Sequence, residues 1–227
     1  MDSFECVGLE LPKYSHSEDY LGTSLHKRAP GMARQGFCLG ATLMWFRAWL
    51  DKSGRTADGR IGYMQKNYSA IAGMQLLGES FGREMNESAR TPEQVAQFFE
   101  GACRVSRLKF MPKFTFENPN DLAGQLKLIT FLYPGFMYFI FLIPKETVVQ
   151  GGLWCHVIGV AYHRNGNYSV FDANYGEFLI QSYRFLQFLR MYYGRIWEHR
   201  FSNQKFGSLM GFQVDRYAYP HRLPESA

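Results

Sequence analysis

The hydrophobic pattern changes period a little past the middle of the chain. Up to about residue 130, apolar positions recur at helical intervals; beyond it they come in the short runs typical of strands. Residues 38–51 are apolar almost throughout and read as a buried helix. From Asp58 to Gly78, the spacing of Ile61, Met64, Tyr68, Ile71 and Leu76 predicts a second helix, weakened at Gly73. Glu79–Arg90 is polar and reads as a loop. Thr91-Pro92-Glu93-Gln94 has the form of a helix start, with Thr as cap, Pro in the first turn and Gln as capping-box partner. That helix is expected to reach about Val105, and Asn118–Ile129 predicts a shorter one.

Phe136–Ile143 is continuously apolar between Pro134-Gly135 and Pro144, which predicts a central strand buried on both faces. Two runs rich in Val, Ile, Tyr and Phe, 153–163 and 167–172, flank Arg164-Asn165-Gly166 and predict a β-hairpin. If the loop is residues 164–166 with Gly166 left-handed, His163 pairs with Asn167, Ile158 with Asp172, and His156 with Asn174. His156 and Asp172 then share one face, whereas a strict two-residue turn would separate them. Ser182–Tyr193 is again helical, with Ser182 as cap, and Leu209–Tyr217 is a last strand. The expected fold class is therefore α+β, with N-terminal helices packed on a C-terminal antiparallel sheet.

At 227 residues a single domain with an ample core is expected. Residues 1–34 have no period and read as a leader segment, loosely held, with the folded domain spanning 35–227. The aromatic content, 17%, argues against disorder. The net charge of +5 is spread along the chain without a basic run, which gives no support to nucleic-acid binding. It leaves room for peripheral association with an acidic membrane. Cys6, Cys38, Cys103 and Cys155 lack metal-like spacing, and no His pair has zinc spacing, so neither metal nor other cofactor is expected. Thiols without a disulfide pattern suit a reducing compartment. The N-terminus has no cleavable signal pattern, and no apolar run is long enough to span a membrane.

The predicted hairpin places His156 and Asp172 at its open end. A carboxylate behind a His fixes the tautomer and stabilises the imidazolium. Cys38 supplies the missing nucleophile, because a Cys in the first turn of a helix has its thiolate favoured by the dipole and by free N–H groups. Each residue taken alone has a plainer reading. A Cys on an apolar helix is commonly a small hydrophobe. A His at a strand start is commonly a satisfied polar residue, and an Asp before Ala-Asn-Tyr-Gly commonly shapes a turn. The remaining histidines, His163 among them, read as solvent-exposed. Trp154 and Cys155 beside His156 read as packing residues.

The order Cys38, His156, Asp172 resembles the YopT-type cysteine protease effectors, a branch of the papain-like fold. The resemblance rests on Gly36-Phe37-Cys38 opening a Trp-containing helix and on Phe171-Asp172-Ala173-Asn174-Tyr175-Gly176-Glu177-Phe178 after the His. It covers roughly residues 35–227 in order and spacing. Ala173 stands where relatives usually have Pro. The resemblance implies a papain-like cysteine endopeptidase with Cys38 as nucleophile, His156 as acid and base, and Asp172 orienting it. The oxyanion hole would use the Cys38 N–H and a side-chain donor. Papain-like enzymes carry that Gln or Asn five or six residues before the Cys, where this chain has Ala33 and Met32, so Gln35 is taken instead.

The family further implies a bacterial effector or toxin, secreted into a host cell by a route without a signal peptide and acting in the host cytoplasm as a monomer. Its substrates would be specific host proteins such as Rho-family GTPases or kinases. Two other classes fit the same residues: a deamidase or transglutaminase, which uses the same thioester chemistry, and a non-catalytic binding module on this fold. The basic surface fits a polybasic substrate tail less well unless the cleft itself is acidic, and Glu177 is one acidic residue close to the predicted site.

Overall fold

The computed structural model describes residues 5–8, 38–50, 56–84, 104, 106–117, 124, 127–128, 137–144, 156–163, 165–173, 175–192 and 206–216. Its helices are α1 (Cys38–Leu50), α2 (Ala57–Lys66), α3 (Tyr68–Glu84) and α4 (Phe185–Met191), the last entered through a 3₁₀ turn at Ser182–Arg184. The strands are β1 (Glu5–Gly8), β2 (Leu108–Glu117), β3 (Met137–Pro144), β4 (His156–Tyr162), β5 (Tyr168–Asp172), β6 (Gly176–Ile180) and β7 (Phe206–Arg216). They form one antiparallel sheet in the order β1-β6-β5-β4-β3-β7-β2.

Helix α1 is buried along most of its length because it lies between the other helices and the sheet. Leu39 to Phe46 are all buried, and Trp45 stacks on Phe171 of β5 with ring centroids 5.5 Å apart. Two glycines permit this packing. A Cβ at Gly159 of β4 would lie 2.6 Å from the Trp45 ring. A Cβ at Gly40 would lie 2.2 Å from the Ile71 carbonyl of α3. The core of α1, α2, α3 and the sheet includes Leu43, Met44, Phe46, Ile61, Met64 and Phe212.

The expected second helix is two. Asn67 ends α2 and starts α3: its N–H meets the Tyr63 and Met64 carbonyls, its side chain donates to Tyr63, and its own carbonyl accepts from Ala70 and Ile71. The helix does not weaken at Gly73, and it runs on to Glu84 through the start of the expected polar loop. At the other end Thr56 caps α2, its Oγ1 accepting from the Gly59 N–H at 3.1 Å.

Three strands escaped the sequence pattern. β2 contains Pro112, which lacks a ladder donor, and the register shifts between Pro112 and Phe114. Both are tolerated because β2 is an edge strand. β6 follows β5 across a tight turn in which the Tyr175 N–H donates to the Asp172 carbonyl at 3.0 Å. β1 adds residues 5–8 of the expected leader to the edge of β6. The Ser182 cap is also corrected, since neither the 3₁₀ turn nor α4 has a side-chain cap. Most of the expected helices 91–105 and 118–129 lies outside the described residues.

The central hairpin has the expected register. Gly166 is left-handed at φ 86°, the His163 N–H donates to the Asn167 carbonyl at 2.8 Å, and Ile158 pairs with Asp172. The β4–β5 ladder ends there; Asn174 lies outside the described residues.

Candidate active site

Two strands and two helices converge on the open end of the hairpin. His156 opens β4, pairs with Leu142 of β3, and lies one diagonal step from Asp172 on the same face. Side chains at that offset reach one another. His156 Nε2 and Asp172 Oδ2 are hydrogen-bonded at 3.0 Å, and both residues are buried. The backbone carbonyl of Asp172 takes the turn bond from Tyr175, while its side-chain Oδ2 is bonded to His156.

Cys38, at the first position of α1, is half-buried and a free thiol. It lies close enough to His156 to help raise the pKa of that imidazole. With Nε2 committed to Asp172, Nδ1 is the ring nitrogen left to serve the thiol. Burial alone would lower the His156 pKa. The charge and hydrogen bond of Asp172, with the same two contributions from Cys38, outweigh it and push the value up from 6.5 to about 10.

A fourth group completes the cluster, from the stretch 182–193 that was expected to be helical. Tyr192, the residue after α4, donates its hydroxyl to the same Asp172 Oδ2 that His156 uses. It is fully buried, with its ring against Phe188 and Phe178. A Tyr hydroxyl on an otherwise apolar helix face was the available signal, because a buried phenol needs a partner. Gln35, expected to complete the oxyanion hole, lies outside the described residues, as do Trp154 and Cys155.

Glu177 is not a substrate contact. It points into the core, fully buried, and accepts from Trp45 Nε1 at 2.7 Å and Arg60 Nε at 2.9 Å. Arg60 Nη2 closes the second arm of a bidentate ion pair. The Arg60 guanidinium also lies 3.9 Å over the Trp49 ring. The network ties α1 and α2 to β6, so it fixes the helix that carries Cys38. His163 is likewise not simply a solvated residue. Its Nε2 is 2.9 Å from Ser169 Oγ and its ring meets the edge of Trp49. Burial, followed by the Arg60 charge, lowers its pKa against a smaller raising effect from Glu177.

Among the described residues, no group of three His, Cys, Asp or Glu side chains is placed to hold a metal ion, and no helix is long and apolar enough to cross a membrane. Comparisons with protein-family models and with curated proteins give no match. Comparison with solved structures does. The fold is similar to that of the Pseudomonas avirulence protein AvrPphB. The two chains are 19% identical, with a TM-score of 0.54 over 79% of this chain and 91% of that one. This likeness shows the fold, which is the papain-like α+β arrangement of helices on an antiparallel sheet.

Proposed function

We propose that the protein is a cysteine endopeptidase in which Cys38 is the nucleophile, His156 the general acid and base, and Asp172 the residue that orients His156. The observation that carries this reading is the convergence of the three: a thiol in the first turn of α1, beside an imidazole that is hydrogen-bonded to a buried carboxylate and whose pKa that carboxylate raises. A thiol in the first turn of a helix beside an imidazole is the arrangement that nucleophilic catalysis by Cys requires. The fold shared with AvrPphB, a cysteine protease effector, supports the same reading.

The Cys38 sulfur adds to a substrate carbonyl, whose oxygen becomes an oxyanion held by the Cys38 N–H and a side-chain donor, for which Gln35 is proposed. The C–N bond then breaks, with the His156 proton passing to the leaving amine. In the second half His156 takes a proton from water, the hydroxide attacks the thioester, and the thiolate leaves. Asp172 keeps one ring nitrogen occupied so that the other faces the thiol.

The substrate we propose is a host protein cut at few sites by an effector delivered into the host cell. A Rho-family GTPase or a kinase would be of the expected type, and the basic surface would favour work at an acidic membrane. The buried Glu177 adds no acidic contact for a polybasic tail.

Iodoacetamide alkylation of the native protein across pH 4–9, with the modified Cys located by peptide mass, tests the reading. The expected result is selective labelling of Cys38 well below pH 8, slowed in His156→Ala. Labelling of Cys38 no faster than Cys6 or Cys103, and indifferent to His156, would overturn it in favour of a binding module. A labelled Cys38 with a substrate whose intact mass shifts without chain cleavage would instead identify a deamidase or transglutaminase.

A further inference from the structure

The Asp172 carboxylate is addressed by two donors on one oxygen, His156 from β4 and Tyr192 from the end of α4. We propose that Tyr192 is a positioning residue that holds Asp172 and withdraws part of its charge, and so sets how tightly His156 keeps its proton. The proposal rests on the cysteine-protease reading above and assigns one more residue to its site.

The argument starts from burial. Tyr192, Asp172 and His156 are all buried, so the hydrogen bonds between them act in a medium where water does not level their effects. The Tyr192 hydroxyl donates, which places the positive end of its dipole beside Oδ2 and beside the imidazole ring that shares that atom. A donor there stabilises the bare carboxylate and makes the site less hospitable to the His156 proton. The ionisable groups that bear on His156 include Cys38 from α1, Asp172 from β5 and, across the carboxylate, Tyr192. The first two hold the proton on; Tyr192 is the counterweight. An imidazolium that holds its proton too tightly is a poor general acid, so a moderating donor has catalytic value. Packing alone would place Phe at this position as well as Tyr, because the ring already sits against Phe178 and Phe188.

The direction of the effect separates this role from a structural one. Loss of the hydroxyl should raise the His156 pKa, whereas loss of the carboxylate, or any loosening of it, should lower it. The experiment is an NMR titration of the labelled His156 imidazole in the full chain, carried out in a Cys38→Ala background so that the thiol no longer contributes. Tyr192→Phe is expected to move the transition up by on the order of half to one pH unit, from the worth of a hydrogen bond to a charged group. Asp172→Asn is expected to move it down towards the ordinary value. Tyr192→3-fluorotyrosine, a stronger donor of nearly the same shape, should move it down modestly, and it decides the matter if the Phe variant does not fold. A transition that stays put or falls in Tyr192→Phe, or stays put or rises with the fluorinated residue, would overturn the proposal. The Asp172→Asn arm reports on the parent reading separately: if it leaves the transition in place, the His–Asp pairing itself has failed, whatever Tyr192 does.

Discussion

Glu177 provides the sharpest test of how the site is held, because its surroundings fix both the size and the pattern of the effect. It is fully buried, with Arg60 at 1% exposure as its ion-pair partner and Trp45 of α1 as a further donor. Replacing Glu177 by Gln keeps the shape and an acceptor for Trp45 but leaves the Arg60 guanidinium without its counter-charge. Breaking a buried pair in this way costs about 3–5 kcal/mol, a large part of the roughly 5–15 kcal/mol that holds a domain of this kind together. Arg60→Met leaves the complementary fault, an unpaired buried carboxylate, and should cost about as much. The double variant Arg60→Met/Glu177→Gln has no buried charge at this point and should cost much less than the two singles together.

Urea unfolding of the four proteins measures this cycle. Arg60→Met also removes a positive charge that depresses His163, so the His163 NMR titration should move up in that variant. Cys38 alkylation at a temperature where each variant is folded supplies the functional arm. Variants that fold should keep an alkylatable Cys38, slowed only as far as α1 shifts when its tie to Glu177 is weakened. Single-variant costs below about 1 kcal/mol, or costs that simply add in the double, would refute the account of a buried, mutually compensated pair.

Two further outcomes follow from the same geometry. Gly159→Ala puts a methyl group 2.6 Å from the Trp45 ring and should cost about 1–3 kcal/mol in urea unfolding, with a slower-reacting Cys38 because α1 must shift to relieve it. For pH, the folded chain holds the His156 proton up to about 10 while the unfolded chain releases it near 6.5. The stability it contributes is fully present below about 6.5 and is lost as pH rises towards 10. Urea midpoints should therefore fall between pH 6.5 and 9.5, with a slope of up to about 1.4 kcal/mol per pH unit that Asp172→Asn abolishes; a flat profile in the unmutated protein would contradict the assigned pairing.

The sequence carried most of this site where its determinants are local. The Asn-Gly turn sets the hairpin register, the register puts His156 and Asp172 on one face, and the two lie only 16 positions apart. The helix that begins at Cys38 was legible for a similar reason, being apolar nearly throughout and buried as a unit. The strands that went unseen depend on distant partners. β2 has a Pro in it and is held by β7, about a hundred residues later, so its identity as a strand is a property of the sheet edge. β1 is four residues long and makes sense only beside β6.

The polar groups that hold the site together show the same division, and they also show which signal remained in the chain unused. Glu177 meets Arg60 from 117 positions away, and Tyr192 meets Asp172 across 20. Hydrophobic periodicity assigns a face to each but no partner. Yet all of them stand in apolar company: Glu177 within Gly-Glu-Phe-Leu-Ile, Arg60 beside Ile61 and one turn from Met64, Tyr192 on the face of Phe185, Phe188 and Leu189. A charged or hydroxylated side chain at a core position must find a partner inside or leave a polar group buried and unpaired. A carboxylate and a guanidinium that both occupy core positions in a chain of this size are therefore each other's most economical solution. The same reasoning applied to Tyr192 leads to the buried carboxylate of Asp172, and makes the hydroxyl part of the proposed site.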